Sequence, residues 1–352
     1  MSGFSWAAVL GPLSSGSDLA EAQTHAAMTE IMAGRAEASQ IAAFIIALRA
    51  KGETVEEMVG LVRAMYDMAV TVDVGIPVVD TAGTGGDGSG TFNISTTAAL
   101  IAAGAGAKVA KHGNRAASSR TGSADVLEEL GVRIDLEPEQ VASLVREAGF
   151  GFFFAPRFHP AMRFAAPVRR ELGVPTVFNF LGPLANPARA ARQVIGVADG
   201  RMAERMVGVL QRLGREFALV FYGEDGLDEL TTCGTSHIYR LDGGKVTHAE
   251  FTPADFGVAE ASLADLVGGD AAENAAIIRG ILSGDAGPKR DIALINAAAA
   301  IVAADLAAGF DEGMVAAAAS IDSGAATRVL ESVVSIGSKL AGAGNQQPPN
   351  RV

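Results

Sequence analysis

The feature that most constrains the fold is a change of pattern near Pro77. Before it, residues 18–74 read as helices alone: Leu19, Ala22, Ala26 and Ile31 recur near helical spacing. The helix EASQIAAFIIALRA closes at Gly52, and the next opens on a Thr54–Glu57 capping box. After Pro77 short apolar runs alternate with helical ones. VVDTAG, AKVAKHG, GFFFAP, QVIGVA and FALVFYG read as strands, and STTAALIAAGAG, SADVLEELG and RMAERMVGVLQRLG as helices. Parallel strands need crossover connections, so this alternation predicts an α/β chain with a mainly parallel central sheet covered by helices.

One stretch breaks the alternation. AMRFAAPVRRELGVPTVFNFLGPLANP is helical and punctuated by Pro and Gly, and either returns to the helical module or forms a hinge. The expected division is a small helical domain of residues 1–74 with part of about 160–190, and an α/β domain of 75–159 and 191–341. The chain is Ala-rich and helical from Asp291, residues 342–352 read as a disordered tail, and no internal repeat is visible.

Composition narrows the function classes. A formal charge of −12 disfavours nucleic acid and anionic membranes, and a single cysteine, Cys233, excludes an intrachain disulfide. Mean hydropathy is +0.27. However, the longest uncharged run, between Asp87 and Lys108, is full of Gly, Ser, Thr and Asn and is no membrane span. The opening MSGFSWAAVLGPL has no Lys or Arg before its apolar stretch, unlike a signal peptide. The expectation is a soluble cytoplasmic protein.

Against the acidic total, no carboxylate occurs between Asp87 and Asp125, while Lys108, Lys111, His112, Arg115 and Arg120 do. Within and beside that segment lie two loops suited to anions. DTAGTGGDGSGTFNIST follows a strand and precedes a helix; its glycines bring N–H groups close to a phosphate, and the helix dipole adds to them. KHGNRAASSRTGSADVLEELG supplies cations and hydroxyls at the next strand end, with Ser123 as a plausible N-cap. His112 is open between a structural histidine and a member of this second loop. Gly83, Gly85 and Gly88 satisfy GxGxxG, but a dinucleotide site needs an acidic residue where this chain has Lys108, Lys111 and His112. A P-loop needs Lys then Ser or Thr after the glycines, and none follows. Two phosphate loops on successive turns suggest a ligand with phosphates at two separated points.

At this level of detail GTGGDGSGTFNIST, KHGNRAASSRTGSADVLEELG, FNFLGPLANP and DGLDELT together resemble the anthranilate phosphoribosyltransferases of tryptophan biosynthesis, over nearly the whole chain. The resemblance implies transfer of the 5-phosphoribosyl group from phosphoribosyl pyrophosphate to the amine of anthranilate. It implies phosphoribosyl pyrophosphate contacts at Gly83, Gly86, Asp87, Thr91, Asn93, Ile94, Ser95 and Thr96. Further contacts are implied along Lys111, His112, Gly113, Asn114, Arg115, Ala116, Ala117, Ser118 and Ser119, and at Ser123. Anthranilate would meet Gly83, Asn114 and Arg169. Two Mg²⁺ ions per active site are implied, one on Ser95 and one on the paired carboxylates Asp228 and Glu229, with Lys111, His112, Asp228 and Glu229 as the catalytic set. A homodimer through the helical modules is implied as well.

The chemistry of these residues agrees. Adjacent carboxylates are hard oxygen ligands for Mg²⁺, and their place after FALVFYG weighs against a merely solvated acidic turn. The guanidinium fork of Arg169 suits an aromatic carboxylate, although spacing alone does not choose it over Arg170. The amine attacks the anomeric carbon as pyrophosphate leaves. A neutral aromatic amine needs little activation, so positioning and charge stabilisation outweigh a strong general base. Two positions depart from the family pattern: Pro175 where arginine is usual, and Tyr222 where histidine is common. His159 in FAPRFHPAM is a candidate for the aromatic entrance. Three other readings compete: a pyrimidine nucleoside phosphorylase of the same architecture, a catalytically silent phosphoribosyl sensor and a nicotinamide oxidoreductase.

Overall fold

The computed structural model describes residues 4–116 and 120–344, so Ala117, Ser118 and Ser119 of the second loop lie outside the described residues. The N-terminal module comprises helices Trp6–Ser14, Glu21–Met32, Ala38–Lys51 and Val55–Asp67. The capping box forms as the sequence predicts: the Thr54 hydroxyl accepts from Glu57 N (3.2 Å) and the Glu57 carboxylate accepts from Thr54 N (2.8 Å). Glu57 is fully buried, and it also accepts from Leu19 N and Lys51 Nζ, which locks the module's start to its last helix. Gly52 ends its helix at φ 91°, as expected.

The sheet contains β1 (Val79–Gly83), β2 (Val109–Gly113), β3 (Phe150–Phe154), β4 (Arg192–Gly196), β5 (Phe217–Gly223), β6 (Ser236–Asp242) and β7 (Lys245–Phe251), in the order β3-β2-β1-β4-β5-β6-β7. The first five run parallel and are largely buried on both faces, which explains why they lack an apolar–polar alternation. The hairpin β6–β7 is antiparallel and extends the sheet beyond the expected strands. Its signal is in the sequence: SHIYRLD and KVTHAEF flank Gly243–Gly244, whose φ values of 53° and 83° suit a tight hairpin turn.

Each face of the sheet closes its own core. Val194 and Leu219 point to one, with helices Ile94–Gly104, Pro138–Ala148 and Pro288–Ala303. Their neighbours Ile195 and Val220 point to the other, with helix Ala203–Arg212 and Phe44, Met58 and Leu61 of the N-terminal module. Ala161, Val168, Phe178 and Leu181 belong to this second core, so the punctuated stretch packs back onto the helical module. Helices Phe310–Asp322 and Ala325–Gly344 complete the first layer. The last helix runs through 342–344, where a disordered tail was expected, and 345–352 lie outside the described residues. Among the described residues no helix is long and apolar enough to cross a membrane.

Candidate active site

Strand order reverses at β1, which has β2 on one side and β4 on the other. Loops leaving the carboxyl ends of β1 and β4 diverge there and open a crevice, the usual ligand position in an open α/β sheet. Gly83 and Gly196 end these strands as register partners. The turn after β5 lays Asp228 directly over them. A Cβ on Gly83 would lie 2.4 Å from Asp228 Oδ2, and one on Gly196 would lie 1.6 Å from Asp228 O. The carboxylate turn therefore rests on bare backbone.

Asp228 Oδ2 accepts from Gly85 N (2.7 Å), and Glu229 Oε1 accepts from Ser95 N (3.1 Å) at the N-terminus of helix Ile94–Gly104, where an anion is favoured. From behind, Asn296 pins this turn: its amide donates to Leu230 O (2.9 Å) and accepts from Leu230 N (3.0 Å). Lys111, 1% exposed, reaches from β2 under the floor and donates to Thr81 O (2.6 Å) and Ser95 Oγ (3.2 Å). Asp80, fully buried on β1, accepts from His112 N (3.1 Å). Asp80, Asp228 and Glu229 act on this ammonium at longer range, none of them in a direct ion pair with it among the described residues. Loss of hydration pushes the Asp228 carboxyl up to about 6, helped by the charge of Asp87, and burial pushes Asp80 to about 6 as well. Glu229 is raised by the same desolvation and by Asp228, while burial lowers the Lys111 ammonium against the pull of the three carboxylates. The floor carries an excess of desolvated negative charge, the condition under which a divalent cation binds.

The rim is different. Gly85, Gly86, Gly88 and Gly90 take φ between 64° and 81° with open space around each. Asp87 accepts from Ser89 Oγ (2.7 Å), which shapes the turn from within. Two cavities meet behind this loop. One, of about 940 Å³, is lined by Gly86, Asn114, Arg115, Ala116, Arg170 and Pro175 among others. The other, of about 430 Å³, is lined by Gly83, Gly113, His112, His159 and the apolar Met65, Met162 and Phe178. Thr84, Asn114, Arg169 and Asn179 border both. This separates the two adjacent arginines: Arg169 is half-buried over the Phe178 ring (5.1 Å) with no carboxylate partner among the described residues, and Arg170 lies exposed on the outer cavity alone.

Several of the residues expected to contact the ligand have partners or packing within the protein. The side chains of Ile94 and Thr96 turn into the interior, because the first turn of their helix packs on the sheet. Asn93 is engaged by Thr121 O and by Asn274, and Thr91 pairs as a β-bridge with Val267. Arg115 is held by Asp125 (2.9 Å) and Glu128 (2.5 Å). Ser123 is the first helical residue and not the cap. Gly122 takes that place because its N–H donates to Asp125 (2.9 Å) and a Cβ there would strike Ala116. His112 is buried, with Nδ1 at 3.1 Å from Gly182 O and its ring 5.3 Å from that of His159. Burial and His159 depress its pKa to about 3, so the imidazole is neutral at physiological pH. Its Nε2 has no partner among the described residues, nor has Nδ1 of His159. Asp80, Gly196 and Asn296 escaped sequence reasoning. Only the buried polar position in VVDTAG carried a signal, and Gly196 and Asn296 depend on contacts across the sheet.

Comparison with known proteins is consistent along the chain. Residues 75–327 match the family model for the glycosyl transferase family a/b domain, and residues 8–69 match that for its helical bundle domain. An anthranilate phosphoribosyltransferase of Roseiflexus sp. is 55% identical over 91% of this chain and 95% of its own length. One from Nocardioides sp. is 54% identical over 93% and 97%. Among solved structures, the Thermus thermophilus anthranilate phosphoribosyltransferase superposes with a TM-score of 0.89 at 43% identity, covering 94% of this chain and 99% of that one. The Saccharomyces cerevisiae enzyme in complex with PRPP and Mg superposes with 0.87 at 29% identity, covering 95% and 98%. The same yeast enzyme has also been solved with 4-fluoroanthranilate.

Proposed function

The chain belongs to the anthranilate phosphoribosyltransferase family, a group of pentosyltransferases of tryptophan biosynthesis, and from that membership we propose how its own residues divide the reaction. The observation that carries the proposal is the floor: Asp228 held by Gly85 N and Glu229 held by Ser95 N, with the buried Lys111 ammonium donating to the Ser95 hydroxyl, at the switch point of the sheet. The donor set fits Mg²⁺. Asp228, Glu229 and the Ser95 hydroxyl are hard oxygens within one small region, and the raised carboxyl pKa values mark a site short of positive charge. Two ions per active site fit this set, one on Ser95 and one on the carboxylate pair. Bound magnesium neutralises the charge that builds on departing pyrophosphate.

The protein's own groups do the rest. The N–H groups of the loop Gly83–Asn93 and of the helix start receive phosphate oxygens. Lys111 holds Ser95 in place and adds a fixed positive charge beneath the leaving group. Anthranilate occupies the smaller cavity, its ring against Met65, Met162 and Phe178 and its carboxylate on Arg169, with Asn114 beside it. Arg169 is favoured over Arg170 because it alone borders that cavity. His112 serves as a neutral hydrogen-bond acceptor through its unpartnered Nε2 and not as a strong base, consistent with a reaction driven by positioning.

We propose the domain division at 1–74 with part of about 160–190, against 75–159 and 191–341, because Ala161, Val168, Phe178 and Leu181 pack in one core with the helices of the N-terminal module. A homodimer through the helical module belongs to the same proposal and rests on the family resemblance alone; sedimentation would test it. A cytoplasmic location fits a soluble biosynthetic enzyme. The deciding experiment mixes the protein with anthranilate, phosphoribosyl pyrophosphate and Mg²⁺ and follows anthranilate fluorescence. A decay that needs all three supports the proposal, and a steady signal with all three present overturns it.

A further inference from the structure

A second set of metal-ligating groups lies on the β6–β7 hairpin, apart from the carboxylate floor. Antiparallel register sets His237 opposite Glu250 and Tyr239 opposite His248, so two-residue alternation brings His237, His248 and Glu250 onto one face. His237 Nδ1 lies 3.4 Å from His248 Nε2 and 3.5 Å from Glu250 Oε1, and the three donor atoms all fall within 4.8 Å of one another. Ligands about 2.0–2.1 Å from a tetrahedral zinc ion are separated from each other by roughly 3.3 Å. Both measured separations match this span.

The surroundings hold the ligands in that arrangement. The other nitrogen of His237, Nε2, lies 3.2 Å from Glu224 Oε1, a carboxylate that accepts a hydrogen bond from Nε2–H and so leaves the lone pair on Nδ1, the nitrogen nearest His248. A carboxylate behind a ligating imidazole is the recurrent support of zinc sites. Tyr222 stacks on the far face of His237 with ring centroids 4.7 Å apart and planes 11° from parallel, and Tyr239 packs on His248 at 4.6 Å. One proton satisfies one pair of the three converging lone pairs, whereas one divalent cation satisfies all three.

We propose that His237, His248 and Glu250 form a surface site for a late first-row divalent cation, zinc foremost, with Glu224 orienting His237. Two imidazoles and a carboxylate select zinc over magnesium, which prefers an all-oxygen octahedral shell. The site bridges β6 to β7 at the base of the segment that returns to the carboxylate turn: Ser236, next to His237, accepts from Thr231 N (2.9 Å). Zinc bound there ties down the hairpin that anchors the floor, and leaves one position for water.

The test is a calorimetric titration of the full chain, freed of metal by chelation, with zinc chloride in saturating Mg²⁺. The expected result is one zinc per chain that magnesium does not displace, with a raised unfolding temperature. His248→Ala removes this binding, Glu250→Gln weakens it, and Glu224→Gln weakens it about tenfold by releasing the His237 ring. Asp228→Asn leaves it unchanged, which separates this site from the floor. Absence of saturable zinc binding, or binding that survives His248→Ala with unchanged affinity, overturns the proposal. Far-ultraviolet circular dichroism checks that each variant has folded, and retained transferase activity does so for the His248, Glu250 and Glu224 variants, which lie outside the floor.

Discussion

Gly196 and Gly86 stand at the same crevice, but the reasons each must be glycine differ. Gly196 belongs to the floor, where an added methyl group would collide with the backbone of Asp228. Gly86 belongs to the rim, where space is open and the constraint is a φ of 81°. The floor is packed, desolvated and tied from behind by Lys111 and Asn296; the rim is conformationally special but contacts little. A site for a magnesium-bound diphosphate uses both: fixed charge below, and turning backbone above to close on phosphates of varying position.

This contrast predicts a graded set of outcomes. The largest effect belongs to the charge of the floor: Glu229→Gln lowers kcat about a thousandfold with the fold intact, measured by anthranilate fluorescence at saturating Mg²⁺. Next is the space above the floor. Gly196→Ala displaces Asp228 and lowers kcat at least about a hundredfold, with Mg²⁺ dependence shifted to higher concentration. Should Gly196→Ala retain wild-type kcat, the packed-floor account fails. Arg169→Ala raises the anthranilate KM by about tenfold to a hundredfold and hardly moves that for phosphoribosyl pyrophosphate, whereas Arg170→Ala moves neither. At the rim, Gly86→Ala costs only the strain of a left-handed alanine, about 1–2 kcal/mol, and appears as a severalfold higher KM for phosphoribosyl pyrophosphate at nearly unchanged kcat. An effect on kcat as large as that of Gly196→Ala would erase the distinction.

The remaining effect is on stability and leaves kcat and KM untouched. His112 is depressed to about 3 in the folded protein and titrates near 6.5 when unfolded, so the unfolded chain binds the extra proton between those values. Its contribution to stability is complete above about pH 6.5 and declines as pH falls towards 3. Its ring carbon protons should show no titration shift by NMR between pH 8 and pH 5. A midpoint near 6.5 would mean that the ring is not sequestered.

The difference between floor and rim also explains what could be read from the chain. The rim was legible, because positive φ and strand–loop–helix context leave a local signature: glycines at fixed offsets, then a helix start. The Thr54 cap, the five parallel strands and the pair Asp228–Glu229 were legible for the same reason. Gly196 and Asn296 were not, since one is glycine because of a turn 32 residues later and the other matters through Leu230 O and N. Ile94 and Thr96 were assigned to the ligand because they lie in the loop motif, yet helix packing sends their side chains inward. The hairpin β6–β7 did carry a local signal, the double glycine between alternating runs, but it lay outside the βα rhythm that organised the remainder.

The pairing of β1 with β4 also bears on how the molecule is made. Val79 and Arg192 are register partners more than a hundred residues apart, so synthesis delivers β2 and β3 long before β4. Until then one edge of β1 has no neighbour, and the nascent chain presents an open strand beside an unfinished glycine loop. Such long-range parallel pairing is slow, and it is the step at which a growing chain of this kind is most exposed to pairing with the wrong partner. The same strand that gives the crevice its two diverging walls thus makes the active site among the last parts of the protein to exist.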